Sequence, residues 1–171
     1  DDHSLIPVKR TALARRGEAD SPILSKMASD LLVKAKSQLA AADTAVHFKC
    51  AHLEAVIREA LNKNESAITR QDLAAMEKLL ANGNQITDLA GLEYATNLTI
   101  LRLNFNQITD VTPLAGLTNL TELTLKFTPI TDVTPLANLT NLTELELSYN
   151  QITDVMPLAN LTNLRASITI T

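Results

Sequence analysis

The residues best suited to chemistry sit close together near the middle of the chain. Cys50 is the single cysteine, and it lies between two of the three histidines, His47 and His52. A thiol flanked by imidazoles could hold a metal or, paired with a base, act as a nucleophile. The spacing H-x2-C-x-H fits no zinc pattern and no fourth ligand is in prospect. The simpler reading is a half-buried thiol where the chain enters a helical cap. A second set is Asp88, Asp110, Asp132 and Asp154, evenly spaced along the chain. On neighbouring strands about 4.8 Å apart these would form a carboxylate column. Calcium binding or catalysis could be read from it. Capping of one turn per repeat is simpler, because catalysis needs one singular constellation rather than a copy in every repeat. The sequence has no Ser–His–Asp set, glycine-rich phosphate loop or H-E-x-x-H motif, and it has four glycines in all. The expectation is a protein that is not an enzyme and needs no cofactor or metal. An enzyme using His47 and Cys50 is the least supported alternative.

The elements that position these residues repeat. Leu98, Leu101, Leu103, Asn106, Ile108, Asp110, Pro113, Leu114 and Leu117 return one period later as Leu120, Leu123, Leu125, Thr128, Ile130, Asp132, Pro135, Leu136 and Leu139. They return again as Leu142, Leu145, Leu147, Asn150, Ile152, Asp154, Pro157, Leu158 and Leu161. A worn copy precedes them: Met76, Leu79, Ala81, Asn84, Ile86, Asp88, Gly91, Leu92 and Ala95. Phase kept so strictly signals a solenoid in which each turn buries its leucines only against its neighbours. The two leucines of Leu101-Arg102-Leu103 point inward from a short strand. Asn84, Asn106 and Asn150 then form a ladder whose amides satisfy backbone groups left unpaired at the bend. Thr128 breaks that ladder, and its turn is predicted to be the softest. Thr112-Pro113 and its copies begin a return segment short enough to be a 3₁₀ turn.

Composition agrees with a globular chain. The 171 residues are 46% hydrophobic, carry net charge −4, and contain no run long enough to cross a membrane. The acidic balance argues against nucleic acid as a partner. The chain starts at Asp1 rather than Met, which points to trimming at the front. Leu53, Val56, Ile57, Ala60 and Leu61 follow helical spacing, and Thr69 with Asp72 resembles a capping box. Residues 46–75 are therefore expected to be a helical cap, and 76–171 the repeats. Residues 1–45 form an extension. Within it, 1–20 are expected to be disordered, and an amphipathic helix starts at Ser21-Pro22 with Ile23, Leu24, Met27, Leu31, Ala35, Leu39 and Ala42 on one face. At the other end the phase calls for apolar residues at 167 and 169, where Ser167 and Thr169 stand. A frayed or frame-shifted end over 165–171, open to self-association, is the expectation.

The pattern L-x-x-L-x-L-x-x-N-x-I resembles the leucine-rich repeat. Its 22-residue form with I-T-D-V-x-P-L-x-x-L-T-N resembles the repeats of internalin-like bacterial surface proteins. LEAVIREALNK (53–63), AITRQDL (67–73) and GLEYATNL (91–98) resemble the cap that precedes those repeats. Cys50-Ala51-His52 stands where that cap usually has an Asp-Pro-Asn type of segment. The resemblance covers about residues 46–165. It implies a curved right-handed α/β solenoid, with parallel strands on the concave face, 3₁₀ turns on the convex face and an N-terminal α-helical cap. It also implies a secreted or cell-surface protein that binds another protein through its concave face. A cytosolic regulatory or targeting module of a larger enzyme or effector is the alternative.

Positions that the repeat does not dictate can carry specificity. They read in columns: Lys78, Ile100, Glu122, Glu144; Leu80, Arg102, Thr124, Glu146; Asn82, Asn104, Lys126, Ser148; and Gly83, Phe105, Phe127, Tyr149. All are expected to face solvent. Three of the five aromatics share the last column. A stripe of rings is a natural binding patch, with Arg102, Lys126, Glu144 and Glu146 as its charged rim.

Overall fold

A computed structural model describes residues 22–42 and 44–165. The expectations for residues 1–20, for Ser167 and Thr169, and for self-association through the C-terminal end fall outside the described residues. The chain divides after Ala40 into two units. Helix α1, Pro22–Ala42, is all that is described of the first and continues two residues beyond the division. Along it Ile23, Met27, Leu31, Leu32 and Val33 are exposed.

The second unit begins with the cap. Helix α2, Ala51–Leu61, buries Leu53 and Ile57, the centre of the helical-spaced apolar set. It stops at Asn62, whose left-handed backbone (φ 53°) lets the Lys63 N–H return to the Arg58 carbonyl at 2.9 Å. Helix α3, Arg70–Ala74, starts on a reciprocal box. The Asp72 N–H donates to the Thr69 hydroxyl oxygen at 3.2 Å, and the Thr69 N–H donates to the Asp72 carboxylate at 2.7 Å. Lys63 pairs with the same carboxylate at 2.6 Å.

Four strands follow: β1 (Lys78–Leu80), β2 (Ile100–Arg102), β3 (Glu122–Thr124) and β4 (Glu144–Glu146). They pair in parallel, in sequence order, with a register of one repeat that aligns Leu79, Leu101, Leu123 and Leu145. These four leucines are fully or almost fully buried, as are Leu103, Leu125 and Leu147. Each strand is three residues long, and backbone bonds to the next turn continue a few residues beyond it, as from Leu103 to Thr124 and from Phe105 to Lys126.

The return segments are 3₁₀ turns: Leu92–Tyr94, Thr112–Leu114, Thr134–Leu136 and Met156–Asn160. Proline opens the last three, where its fixed φ suits a first helical position. Before each turn an aspartate accepts from the N–H two residues on: Asp88 from Ala90, Asp110 from Thr112, Asp132 from Thr134 and Asp154 from Met156, at 2.7–2.8 Å. The carboxylate column is thus a set of turn caps. Hydrogen bonds from Thr112 and Thr134 hold the Asp110 and Asp132 carboxyls below the usual carboxylate range. One continuous apolar core runs from Cys50 and Leu53 in the cap to Leu161. Among the described residues no helix is long and apolar enough to cross a membrane.

Candidate protein-binding face

The bend after each strand is set by asparagine. Asn106 is buried, and its amide oxygen accepts from the Asn84 and Ile86 N–H groups at 3.1 and 2.9 Å. Its amide nitrogen donates to the Ala81 and Leu103 carbonyls, both at 2.8 Å. One side chain therefore ties its own turn to the one before. Asn150 repeats the scheme, donating to the Leu125 and Leu147 carbonyls and accepting from Ile130. The turn of Asn84 has the cap rather than a repeat before it, and its side-chain amide donates to the Asn82 carbonyl of the same turn. Thr128 is buried and sends its single hydroxyl proton toward the Leu125 carbonyl or Asn150 Oδ1. Neither acceptor belongs to the turn of Asn106.

Further ladders recur with the same period. The Asn97, Asn119, Asn141 and Asn163 amides donate to the carbonyls of Ala74, Thr96, Thr118 and Thr140 at 2.7–2.9 Å. The Thr99, Thr121 and Thr143 hydroxyls donate to the carbonyls of Glu77, Thr99 and Thr121. Nearer the rings, the Asn82 and Asn104 side-chain oxygens accept from the Asn104 and Lys126 N–H groups. The L-T-N-L-T phase is visible in the sequence; its bonding role is the part that periodicity alone leaves silent.

Immediately before the Asn106 ladder the backbone turns left-handed. Gly83, Phe105, Phe127 and Tyr149 have φ of 69°, 58°, 52° and 60°. Glycine adopts this conformation freely, whereas for a bulky L-residue it costs about 1–2 kcal/mol. Their N–H groups still bond outward: those of Gly83, Phe105 and Phe127 donate to the carbonyls of Asn104, Lys126 and Ser148. The three rings stack. Phe105 and Phe127 have centroids 4.6 Å apart, and Phe127 and Tyr149 4.1 Å, with planes within 10° of parallel. Phe105 and Tyr149 remain 60% and 59% exposed and the central Phe127 42%, so the edges of the stack face solvent.

Three of the four rim residues are paired. Arg102 hydrogen-bonds to Glu122, which raises the guanidinium pKa, and Lys126 Nζ lies 2.6 Å from Glu146. Among the described residues Glu144 makes no ion pair. Two positions depart from the expectation of solvent-facing columns: Thr124 is 3% exposed and Ser148 6%. Thr124 stands in register between Arg102 and Glu146, with the Arg102–Glu122 pair linking β2 to β3 and the Lys126–Glu146 pair linking the exit of β3 to β4 on either side of it. Its hydroxyl is buried without a partner.

The thiol and the histidines stand apart from this face. Cys50 is buried at the N-cap of α2, while His47 and His52 are exposed. Hydrogen-bond donors around the Cys50 sulfur favour the thiolate. Burial works to raise its pKa, but hydrogen bonds from the backbone of Thr87, Leu53 and Asp88 and from the Thr87 side chain prevail and lower it from 9.0 to about 7. Among the described residues no group of three histidine, cysteine or acidic side chains is placed to hold a metal.

Comparison with known proteins agrees with this geometry. The family model for leucine rich repeats (2 copies) matches residues 74–115 and 96–138, and that for a leucine rich repeat matches 138–155. A solved internalin, inlF of Listeria monocytogenes, is 44% identical over 68% of this chain and 35% of its own, with TM-score 0.67. Internalin C2 of the same organism is 32% identical over 68% of this chain and 72% of its own, with TM-score 0.37. The chain belongs to the internalin-like leucine-rich-repeat proteins. The functional domain of Listeria InlJ, described as including a cysteine ladder, is 29% identical over 75% of this chain and 30% of its own, with TM-score 0.62. This chain has asparagine, threonine and aromatic columns, and its one cysteine lies in the cap. It spans about a third of the length of the inlF and InlJ structures. No curated protein gives a match. The internalin-like fold is one of protein binding.

Proposed function

We propose that this solenoid recognises another protein through its concave side, with Phe105, Phe127 and Tyr149 as the anchor and Arg102, Lys126, Glu144 and Glu146 as the orienting rim. One observation carries the reading. Three exposed rings occupy consecutive left-handed positions at which the first turn manages with Gly83. The fold has no need of a side chain there, so the rings add solvent-facing apolar area where the backbone would prefer none. Stacking, worth about 0.5–1.5 kcal/mol per pair, offsets part of that preference. A partner covering the exposed edges would supply more, as aromatic hot spots do. The likeness to Listeria internalins supports a bacterial protein that acts outside the cell, secreted or at the surface.

Phe127→Gly tests this. It removes the central ring and relieves the left-handed backbone at the same stroke. The expected result is an unchanged or raised melting temperature, together with loss of the proteins that the wild-type chain retains from a host-cell surface extract. Lower stability with unchanged retention would make the stack structural and move the binding face elsewhere.

A further inference from the structure

The ring column is one member short. Its first position is Gly83, and the rings begin one turn later. Phe127 carries a ring on each face and remains 42% exposed, whereas Phe105 carries one ring only and remains 60% exposed. The excess at Phe105 is its outer face, on the side away from Phe127 and toward the turn of Gly83. Among the described residues no other ring stacks on that face.

The space in front of it is open. A Cβ built at Gly83 would meet nothing within 4 Å. Asn84, the residue after Gly83, lines a groove of about 380 Å³ between α2 and the first turn, together with Val56, Glu59, Ala60, Lys78 and Leu80. Leu80 and Ala60 are exposed and Val56 is half-buried. The lining carries one charge of each sign, on Glu59 and Lys78, so it does not select an ion.

We propose that the place over Gly83 receives an aromatic side chain of the partner polypeptide, stacked on the outer face of Phe105. The inference rests on the ring column being the binding face and names what that face takes. Successive turns hold their rings 4.6 and 4.1 Å apart, so the turn without one leaves a gap one ring thick. A planar apolar group fills it and leaves the Gly83 N–H bonded to the Asn104 carbonyl. Glycine also lets a ligand come close to the backbone. Offset stacking on a free ring face adds to the burial of area. The residues beside that aromatic side chain continue along the groove, against Leu80 and Val56.

The test is an NMR titration of the full chain with acetyl-tryptophan-amide, acetyl-cyclohexylalanine-amide and acetyl-arginine-amide. The tryptophan probe should bind saturably in the millimolar range and shift the Gly83 amide and the Phe105 ring signals. The other two should bind at least about threefold more weakly, since the first lacks a planar ring and the second finds no excess of carboxylate. Gly83→Phe fills the place with a ring of the chain itself, under a left-handed strain already borne at Phe105, and should weaken the tryptophan probe at least about tenfold. Phe105→Leu keeps an apolar side chain but removes the ring face, and should weaken it about fivefold; it decides the matter should Gly83→Phe unfold. Absence of saturable tryptophan binding, equal binding of the cyclohexylalanine or arginine probe, or an unchanged tryptophan affinity in either folded variant would overturn the proposal. The binding-face reading is decided separately, by Phe127→Gly and protein retention, so the two failures are distinguishable.

Discussion

Phe105 and Asn106 are neighbours in sequence and opposites in what fixes them. The Asn106 side chain is buried and engages two N–H groups and two carbonyls at less than 3.2 Å, so the bend dictates it. The Phe105 side chain points out from a left-handed residue that would rather be glycine, so the bend does not dictate it. The columns that start from these two residues behave accordingly. In the first, a departure such as Thr128 alters the bonding between turns. In the second, a departure such as Gly83 leaves the backbone bonds in place. Freedom from the fold is what makes the second column available for recognition.

The contrast is tested hardest at Asn106. Asn106→Ala orphans buried groups on two turns and should lower stability by about 3 kcal/mol, the upper end of the 1–3 kcal/mol for one unsatisfied group. Denaturant midpoints with unchanged m-values would measure it, and a neutral result would remove the ladder from the account of stability. Next comes Phe127→Gly, where affinity should fall by about 2 kcal/mol, roughly 30-fold, while the unfolding midpoint holds or rises. Thr128→Asn probes the same difference from the other side. An amide there could reach back to the turn of Asn106, and a gain of about 1 kcal/mol is expected, read as slower hydrogen exchange around Ile108. A loss of stability would mean that the Thr128–Asn150 bond had been the better arrangement.

The smallest effect concerns the cap. Burial works to raise the Asp72 carboxyl, but bonds from Lys63 and Thr69 prevail and hold it below its ordinary value. A carboxyl depressed on folding contributes stability above its unfolded pKa of about 3.9, and that contribution disappears as pH falls through the folded value. Asp72→Asn should therefore cost about 1 kcal/mol at pH 7, and the two proteins should converge in urea midpoint below about pH 3. A gap that persists at low pH would place the role of Asp72 in its geometry rather than its charge.

Much of the fold was legible because the repeat writes the same physics several times over. The leucines of β2, β3 and β4, the prolines opening the 3₁₀ turns and the Thr69–Asp72 box all lie where their spacing put them. The ring column was legible too, as a coincidence of rare residues in one phase. Its left-handed backbone was not, because φ at Phe105 follows from how the turn exits the sheet and the residue type argues against it. The burial of Thr124 was equally hidden, since the other members of its column, Leu80, Arg102 and Glu146, are exposed or half-exposed. The contact of Arg70 with Tyr94 joins the cap to the first 3₁₀ turn, two segments that share no pattern.

The hydrogen-bonded links between successive turns from asparagine and threonine side chains each span close to one repeat of chain, whether at the bend or on the return side. Length is consequently quantised. Removing or duplicating one whole repeat returns each donor to an equivalent acceptor, whereas a change of a single residue misaligns all the columns together. A gene for such a chain can grow or shrink by whole turns through unequal exchange without inventing new contacts, and each added turn brings one more left-handed site on which a ring can be tried.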